Sequence, residues 1–544
     1  TTDGNAQVLT RLTTGDVRGE IVDGMCVFRG IPYARPPVGE LRLAKPVPAC
    51  PWDGVRDALE FGPPPPQSAL MGTPGDPPGS DGNWLTLNIW SPDIATTGMP
   101  VMVWIHGGGY SYGWSGDPLF DGAALAADGV VVVTFNYRLH AEGFASFPGA
   151  PANRGLLDQI AALRWVQENI AAFGGDHDAV TVFGESAGAG SIASLLAMPA
   201  AEGLFHRAIL QSVPGLFFTD DLATDIGSTI TDLLGVEHRT DAIRRLSPEL
   251  LNEAADVVAA GIVDERRWGI AAHVGSPFAP IVDGEILPTT PWQALASGAA
   301  ANVDLVVGHT RDEYRLFMVL EDELGRISRD TSDAALTLLA PDAEAFRAGY
   351  PDANPEALYE LVHSDYLFRM PSLHLAQAHR GNHYFYEIRW QAPGMGGDLL
   401  GACHGLGLPL TFGNFSAGAA ALLIGPEPNI ATFELSRAVR SAWTGFASMS
   451  DPGWPRHDES TDLTWIIDDE PRVAAYPEHE SRRLWAGYRF TPVIGLRADV
   501  LAALTQSLGA ARVFAFPVRM LQIQIALIYI FTTIFKLQGN VAKW

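Results

Sequence analysis

The chain is poor in cysteine and in basic residues. Its 544 residues include only three cysteines, Cys26, Cys50 and Cys403, which are too few and too scattered for a disulfide framework or a four-ligand zinc site. Acidic residues outnumber basic ones by 62 to 36, so the formal net charge is −26. Such a balance repels phosphate backbones, and we therefore expect no nucleic-acid partner.

Apolar residues make up 47% of the chain, enough for a large buried core. Short apolar runs rich in β-branched and aromatic residues predict buried strands, and periodic apolar positions between them predict helices. The order strand, helix, strand, helix is typical of a parallel α/β sheet. Strands are predicted at residues 101–105, 130–136, 179–183, 303–307 and 383–388, and helices at 156–172 and 187–198.

The sharpest motif is Gly184-Glu185-Ser186-Ala187-Gly188, placed between a predicted strand and a predicted helix. In this context a G-x-S-x-G string predicts a nucleophile elbow, because small residues on each side let the chain turn sharply and present the serine hydroxyl. We predict Ser186 as a catalytic nucleophile. A turn with a purely structural role is the alternative.

A serine hydrolase also needs donors for the oxyanion, and fixed backbone N–H groups serve best. The run His106-Gly107-Gly108-Gly109 follows a predicted strand upstream of the serine and matches the oxyanion loop of lipases and esterases. We predict the N–H groups of Gly108, Gly109 and Ala187 as the donors. A permissive glycine turn is the alternative.

The sequence closely resembles the type-B carboxylesterase family, which includes bacterial para-nitrobenzyl esterases, animal carboxylesterases and cholinesterases. The resemblance implies an α/β-hydrolase fold, with a large, mostly parallel central sheet flanked by helices, in one domain over residues 1–496. The matching stretches are Phe28-Arg-Gly-Ile-Pro-Tyr-Ala34, Asn136-Tyr-Arg138, Gly155-Leu-Leu-Asp-Gln159, Ala162-Leu-Arg-Trp-Val166, Phe173-Gly-Gly-Asp176, Phe183-Gly-Glu-Ser-Ala-Gly188, Ile209-Leu-Gln-Ser212, Pro280-Ile-Val-Asp-Gly284 and Trp443-Thr-Gly-Phe-Ala447.

The nucleophile needs a base and an orienting acid, in the chain order Ser, Asp or Glu, His for this fold. The 14 histidines and 62 carboxylates alone leave the assignment open. The resemblance implies Glu313 as the acid and His404 as the base. Asp312 is the rival acid. His309 and His140 are rival bases, each expected to be a loop or surface histidine.

The resemblance also implies supporting roles for Glu185, a buried carboxylate beside the nucleophile, and for Ser212, a hydroxyl behind the acid. Both could equally be polar core groups satisfied by hydrogen bonds. Cys403 is interpreted as a small buried residue. Three further matching residues, Arg138, Asp158 and Asp176, are interpreted as structural and paired within the core.

The sequence departs from the cholinesterases where they capture choline. No tryptophan occupies the choline-binding position of the cholinesterases, which falls near Pro74, so cation–π binding of a quaternary ammonium is unsupported. Val274 and Ser276 take the place of the bulky rings of the acyl pocket, which predicts room for longer acyl groups. We therefore predict a serine carboxylesterase for aryl and short-to-medium alkyl esters, with no cofactor or metal. A non-catalytic binding protein of this fold and a lipase active at lipid surfaces are the alternatives.

Beyond residue 496 the resemblance ends, and a tail of residues 497–544 contains the apolar stretch 520–535. A spanning helix needs about 20 apolar residues, so a helix packed on the body or a tail foreign to the parent gene is favoured over a membrane anchor. The amino terminus shows no secretory signal but also lacks Met. We expect a cytoplasmic bacterial enzyme, or a secreted one if a leader was removed. The oligomeric state stays open.

Overall fold

A computed structural model describes residues 6–68, 82–262, 265–273, 276–393, 399–416, 418–425, 428–458 and 461–494. The strands are β1 (Gln7–Leu12), β2 (Gly15–Val22), β3 (Met25–Pro32), β4 (Val55–Asp57), β5 (Thr86–Ser91), β6 (Met99–Ile105), β7 (Val131–Phe135), β8 (Gly175–Glu185), β9 (Arg207–Gln211), β10 (Phe218–Thr219), β11 (Ile281–Val282), β12 (Asp304–Thr310), β13 (His383–Ile388), β14 (Leu463–Ile467) and β15 (Arg472–Ala475).

The α-helices flank these strands, and short 3-10 turns and one π-helical turn, Asp365–Arg369, connect some of them. The α-helices are α1 (Ala123–Ala126), α2 (His140–Phe144), α3 (Arg154–Asn169), α4 (Ala187–Ala197), α5 (Asp220–Leu233), α6 (Thr240–Ile243), α7 (Pro248–Gly261), α8 (Glu265–Trp268), α9 (Pro291–Ala296), α10 (Arg315–Leu320), α11 (Arg329–Leu339), α12 (Ala343–Gly349), α13 (Pro355–Ser364), α14 (Met370–Ala378), α15 (Gly407–Phe412), α16 (Gly418–Ile424), α17 (Ile430–Met449) and α18 (His479–Leu484).

A 13-stranded sheet runs through the described residues in the order β1-β2-β3-β5-β7-β6-β8-β9-β12-β13-β14-β15, with β4 paired to β2. The strands from β7 to β14 in this order pair in parallel, whereas the outer pairs at both ends are antiparallel. Strands β10 and β11 form a separate two-stranded sheet. The predicted α/β class with a mostly parallel central sheet is confirmed.

The central strands are apolar on both faces because helices cover both faces. Along β6, Val103 and Ile105 belong to one apolar cluster, whereas Met102 and Trp104 belong to the cluster on the opposite face. This alternation follows from the two-residue period of a strand. All five residues of β7 are buried as well. A continuous apolar run is therefore what a strand in the middle of this sheet requires.

The predicted elements are confirmed with small shifts of their ends. The predicted helix 156–172 is α3 followed by a 3-10 turn, Ile170–Phe173, and the predicted strand 179–183 is the longer β8. The tail 497–544 and most of the predicted surface loop 63–82 lie outside the described residues. The division into a domain of residues 1–496 and a tail therefore stays a prediction. In the part of the chain that the structure describes, no helix has the length and apolarity to cross a bilayer.

Four neighbouring strands, β8, β9, β12 and β13, end at the same edge of the sheet, and the chain leaves each of them through a loop. Ser186 follows β8, Ser212 follows β9, Glu313 lies just past β12, and His404 lies in the connection after β13. Ligands of open α/β sheets bind outside this carboxyl edge. The topology therefore gathers the predicted polar residues in one place.

Candidate active site

Ser186 occupies a sharp turn between β8 and α4. Its backbone has φ 57° and ψ −126°, a conformation that a non-glycine residue rarely adopts and that is typical of functional sites. Its N–H donates to the carbonyl oxygen of Gln211 at 2.9 Å. A side chain at Gly188 would collide with the carbonyl oxygen of Ile105. The small residues of the motif thus let helix α4 start directly against β6.

His404 and Glu313 form a buried pair. His404 Nδ1 lies 2.5 Å from Glu313 Oε2, and the Glu313 side chain is fully buried. Burial by itself lowers the pKa of His404, but the charges of Glu185 and Glu313 outweigh it and raise the pKa to about 9. The bond to Nδ1 fixes the orientation of the imidazole and directs Nε2 away from the acid, as a histidine base requires.

Two further donors hold Glu313. The hydroxyl of Ser212 donates to Oε1 at 2.6 Å, and the backbone N–H of Thr310 donates to the same oxygen at 2.8 Å. Burial alone would raise the pKa of Glu313, but the charge of His404 and these hydrogen bonds keep it below the ordinary value. Glu313 is therefore an anion within the protein interior, with both carboxylate oxygens engaged.

Glu185 lies on the other side of the imidazole. Its Oε1 is 3.1 Å from His404 Nε2, and the Glu185 side chain is buried. Burial, partly offset by the charge of His404, raises the pKa of Glu185 to about 7. In this structure Nε2 therefore faces a carboxylate rather than a hydrogen bond from the Ser186 hydroxyl. Such bonds are often long or absent in unliganded enzymes and tighten in complexes.

The glycine loop after β6 has a backbone that only glycine adopts readily. Gly108 and Gly109 have φ of 105° and 57°, and a side chain at Gly108 would collide with the carbonyl oxygen of Tyr112. Among the described residues, the N–H groups of Gly108, Gly109 and Ala187 donate to no protein acceptor. The Ser276 hydroxyl donates to the carbonyl oxygen of Gly109 at 3.1 Å.

Two aromatic rings that the sequence did not single out pack on the base. The ring centroids of Phe368 and Phe317 lie 4.2 and 5.4 Å from that of His404. Phe368 belongs to the π-helical turn Asp365–Arg369, a type of turn that is frequent at functional sites. These rings shield the imidazole from water and limit its rotation.

The rival residues have other partners. His309 lies in β12, where Nδ1 contacts the carbonyl oxygen of Thr310 and Nε2 contacts the Tyr476 hydroxyl, each at 2.9 Å. His140 contacts Asn252 and Asp256, both at 3.1 Å. The prediction that these two histidines are loop or surface residues was wrong. Both side chains are buried, and both are bonded to residues distant in the sequence, Tyr476 for His309 and Asn252 and Asp256 for His140.

No hydrogen bond or ion pair among the residues that the structure describes joins Asp312 to His404. Its carboxylate pairs with Arg311 at 2.7 Å, and Oδ2 accepts the backbone N–H of Ala402 at 2.9 Å. Asp312 thus lies beside the segment that carries His404, the predicted base, and Glu313 is the carboxylate that meets the imidazole.

Of the other matching residues, Arg138 and Asp158 form a buried ion pair at 2.7 Å, as predicted. The prediction that Asp176 is paired within the core was wrong. Asp176 is half-buried at the surface, and its carboxylate accepts the N–H of Asp178, because the start of β8 extends beyond the core. Cys403 is fully buried, as predicted. Val274 and Pro74 lie outside the described residues.

Comparison with known proteins gives a consistent result. The model of the carboxylesterase family matches residues 5–485. The chain is 38% identical to the para-nitrobenzyl esterase of Bacillus subtilis over 86% of this chain and 96% of that protein. It is 33% identical to the phenmedipham hydrolase of Pseudarthrobacter oxydans over 87% and 99% of the two chains.

Solved structures agree with the sequence comparisons. A PNB esterase structure superposes with a TM-score of 0.78 at 36% identity, covering 87% of this chain and 98% of that one. A Geobacillus stearothermophilus carboxylesterase superposes with the same TM-score of 0.78 at 34% identity, covering 88% and 99%.

Proposed function

Because the chain belongs to the carboxylesterase family of α/β-hydrolases, and is thus a carboxylic ester hydrolase, we propose that it cleaves small esters with Ser186, His404 and Glu313. The observation that carries the assignment is the contact of 2.5 Å between His404 Nδ1 and the buried Glu313. It leaves Nε2 as the nitrogen available to the strained serine of the elbow.

In the proposed reaction, the Ser186 hydroxyl attacks the ester carbonyl while His404 Nε2 takes its proton. The same proton then passes to the departing alcohol, and an acyl-enzyme remains. Water repeats the sequence and releases the acid. Glu313 stays ionised throughout and stabilises the imidazolium that forms at each step.

The tetrahedral oxyanion needs donors that are in place before the charge develops. We assign the N–H groups of Gly108, Gly109 and Ala187 to this task. Support comes from their lack of acceptors among the described residues and from the position of Ala187 at the first residue of α4, where N–H groups have no partner within the helix.

For the substrate, we propose aryl and short-to-medium alkyl esters. One relative is named for its action on para-nitrobenzyl esters, which supports an aryl group. Ser276, half-buried and bonded to the carbonyl of Gly109, is a small side chain beside the glycine loop, which supports room for an acyl group of several carbons. A small-molecule substrate is the proposed partner, and no cofactor takes part.

The decisive test is a burst assay with para-nitrophenyl butyrate on the wild type and on Ser186→Ala, with and without an organophosphate. We expect one equivalent of nitrophenol in the burst of the wild type, no burst in the variant, and loss of activity together with labelling of Ser186 by the organophosphate. A normal burst in Ser186→Ala would refute the assignment. No burst and no labelling in the wild type would favour the non-catalytic binding role.

The lipase alternative is tested separately with tributyrin below and above its solubility limit. An esterase reaches its maximal rate on the dissolved ester, whereas a lipase gains rate when the emulsion forms. Binding to lipid vesicles, compared between the full chain and a chain that ends at residue 496, tests membrane association through residues 520–535. Cytoplasmic location stays a proposal, which fractionation of the source cells would test.

A further inference from the structure

The segment that carries the proposed acid, residues 311–315, binds the segment that carries the proposed base, residues 399–404. The N–H of Asp312 donates to the carbonyl oxygen of Ala402, and the N–H of Ala402 donates to Asp312 Oδ2, both at 2.9 Å. Three residues further along, Arg315 Nε donates to the carbonyl oxygen of Leu399 at 2.8 Å. These contacts lie on either side of Glu313.

Gly401 lets the two segments approach each other. Its φ is 60°, and a side chain built there would place its first carbon 2.5 Å from Asp312 Oδ2. Any other residue would therefore push the carboxylate away from the N–H of Ala402. The next residue but one, Cys403, forms an isolated parallel β-bridge with Asp312. The segment of the base is thus aligned with the segment of the acid up to the residue before His404.

The remaining contacts of His404 act on its ring rather than on its backbone. Phe317 and Phe368 pack against the imidazole, Glu313 binds Nδ1, and Glu185 lies 3.1 Å from Nε2. The pair of bonds between Asp312 and Ala402 acts on the main chain two residues before the base. It therefore fixes the position of the main chain from which the His404 side chain extends, whereas packing against the ring does not fix that position.

Arg311 supplies the charge balance for this arrangement. Its guanidinium donates to both carboxylate oxygens of Asp312, at 2.8 and 2.7 Å. Within the described part of the chain, no hydrogen bond joins it to Ala402. Loss of Arg311 would therefore remove the partner of the carboxylate and leave the bonds to Ala402 in place, which makes Arg311 the matched control.

We propose that Asp312 is a positioning residue, whose carboxylate and N–H hold the Ala402 backbone and so set the separation between the acid Glu313 and the base His404. The inference rests on the proposed function, because it presupposes that Glu313 and His404 act as acid and base. It adds a role for the carboxylate next to the acid, one that requires no contact with the substrate.

The test compares three variants: Asp312→Ala, Arg311→Gln, and a double variant that carries both Arg311→Gln and Asp312→Asn. Asparagine keeps a side-chain oxygen that can accept the N–H of Ala402. The Arg311→Gln substitution removes the guanidinium, which would otherwise face the amide NH2 of the asparagine. We expect Asp312→Ala to lower kcat about 100-fold with little change in KM, since misplacement of a catalytic group by about 1 Å costs roughly that much. The two Arg311→Gln variants should stay within about fivefold of each other, the value of one weak hydrogen bond.

The pH profile separates positioning from a general loss of stability. When the contact between Glu313 and His404 loosens, the pKa of His404 falls toward its ordinary value, and the rising limb of the kcat/KM profile moves to lower pH in Asp312→Ala only. The proposal would be overturned if Asp312→Ala kept both the kcat of the wild type and the position of the rising limb of its kcat/KM profile against pH. It would also be overturned by a double variant as inactive as Asp312→Ala beside an active Arg311→Gln, which would show that the charge of Asp312 matters rather than its bond to Ala402. Circular dichroism and thermal unfolding of each variant check that it is folded.

Failure of this inference and failure of the proposed function give different results. If Ser186→Ala keeps its burst, the proposed function fails whatever Asp312 does. If Ser186→Ala is inactive while Asp312→Ala is fully active, only the positioning role fails.

Discussion

Glu185 Oε1 lies 3.1 Å from His404 Nε2, the nitrogen that we propose takes the proton of Ser186. A carboxylate at this place competes with the serine hydroxyl for the same nitrogen. It also stabilises the imidazolium that forms during the reaction, at the expense of the neutral base that starts it. Glu185 therefore lowers the fraction of His404 that is neutral and able to act as the proposed base. It also stabilises the positive charge that His404 carries in the proposed transition state.

The first prediction concerns the pH dependence of kcat/KM. His404 must be neutral to act as a base, and its pKa is raised to about 9 by Glu185 and Glu313, against the effect of burial. Activity is therefore expected to rise with pH into the alkaline range. In Glu185→Gln one of the two charges is gone, so the pKa of His404 falls and the rising limb moves to lower pH.

A pH profile of the wild type and Glu185→Gln checks this, with the exposed Glu168→Gln in α3 as the control for loss of one negative charge. The same shift in both variants would point to net charge rather than to the local contact. A limb that stays in place in Glu185→Gln contradicts the prediction.

The second prediction concerns Ser212, which donates to Glu313 Oε1 at 2.6 Å. A hydrogen bond to a charged group contributes about 1.5 to 3 kcal/mol, and Ser212→Ala removes one of the three donors to the acid. We expect kcat/KM to fall at least about 10-fold, since each 1.4 kcal/mol is a factor of ten.

The matched control is the exposed Ser448→Ala in α17, whose hydroxyl bonds only to its own helix. Steady-state kinetics with para-nitrophenyl butyrate measures both variants. Wild-type kinetics in Ser212→Ala would mean that Thr310 and His404 suffice to hold the acid.

The third prediction concerns the elbow. Alanine in place of glycine normally stabilises a helix by about 1 kcal/mol, but at Gly188 the added carbon would meet the carbonyl oxygen of Ile105. We expect Gly188→Ala to lose the burst and to lower the unfolding temperature. At Gly261, the last residue of α7, an added carbon meets nothing within 4 Å.

Gly261→Ala is therefore expected to leave the burst intact and to leave the unfolding temperature equal or higher. Thermal unfolding and burst amplitude are read on both variants. If the two behave alike, the close approach of α4 to β6 does not restrict residue 188.

The fourth prediction concerns stability. Glu387 is fully buried in β13, 3.5 Å from Arg389. Burial, reinforced by the charge of Glu478, raises its pKa well above the ordinary value. The folded state therefore binds a proton that the unfolded state has already released above its ordinary pKa of about 4.3. Stability is highest below that value and falls as the pH rises toward the pKa of the folded state.

Glu387→Gln removes this pH-dependent contribution to the free energy of unfolding, since its amide is neutral at every pH. Its unfolding temperature relative to the wild type is expected to be higher at pH 8 than at pH 5, as followed by circular dichroism. Glu168→Gln serves again as the control. A constant difference across this range would show that Glu387 does not change its protonation on folding.

The sequence predicts best what depends on neighbouring residues. The elbow at Ser186 and the strand before it are encoded within a dozen residues, so motif and context together suffice. His404 could be selected only by family resemblance, because nothing local distinguishes it from thirteen other histidines. His309 and His140 were misplaced for the same reason, since burial of a histidine depends on distant partners such as Tyr476 and Asp256.

The contacts around the base are the least predictable part of the site. Phe368 reaches His404 from a π-helical turn, a local geometry that the residue pattern does not encode. Asp312 was recognised as a rival for the role of acid, but its bonds to Ala402 depend on the meeting of two distant segments. Tertiary contacts of this kind require the coordinates of both partners.

Four neighbouring strands of the sheet are followed in the chain by Ser186, Ser212, Glu313 and His404. The order of these strands in the sheet is the order of the four residues in the sequence. Each long excursion between two of these positions therefore starts and ends at the same edge of the sheet, and its length has no effect on the spacing of the strands. Insertions and deletions in those parts of the excursions that do not contact Ser186, Glu313 or His404 can reshape what enters the site without altering the reacting groups. This modularity separates evolution of substrate choice from preservation of the chemistry, and it marks the excursions, rather than the strand ends, as the segments to recombine when a new ester is wanted.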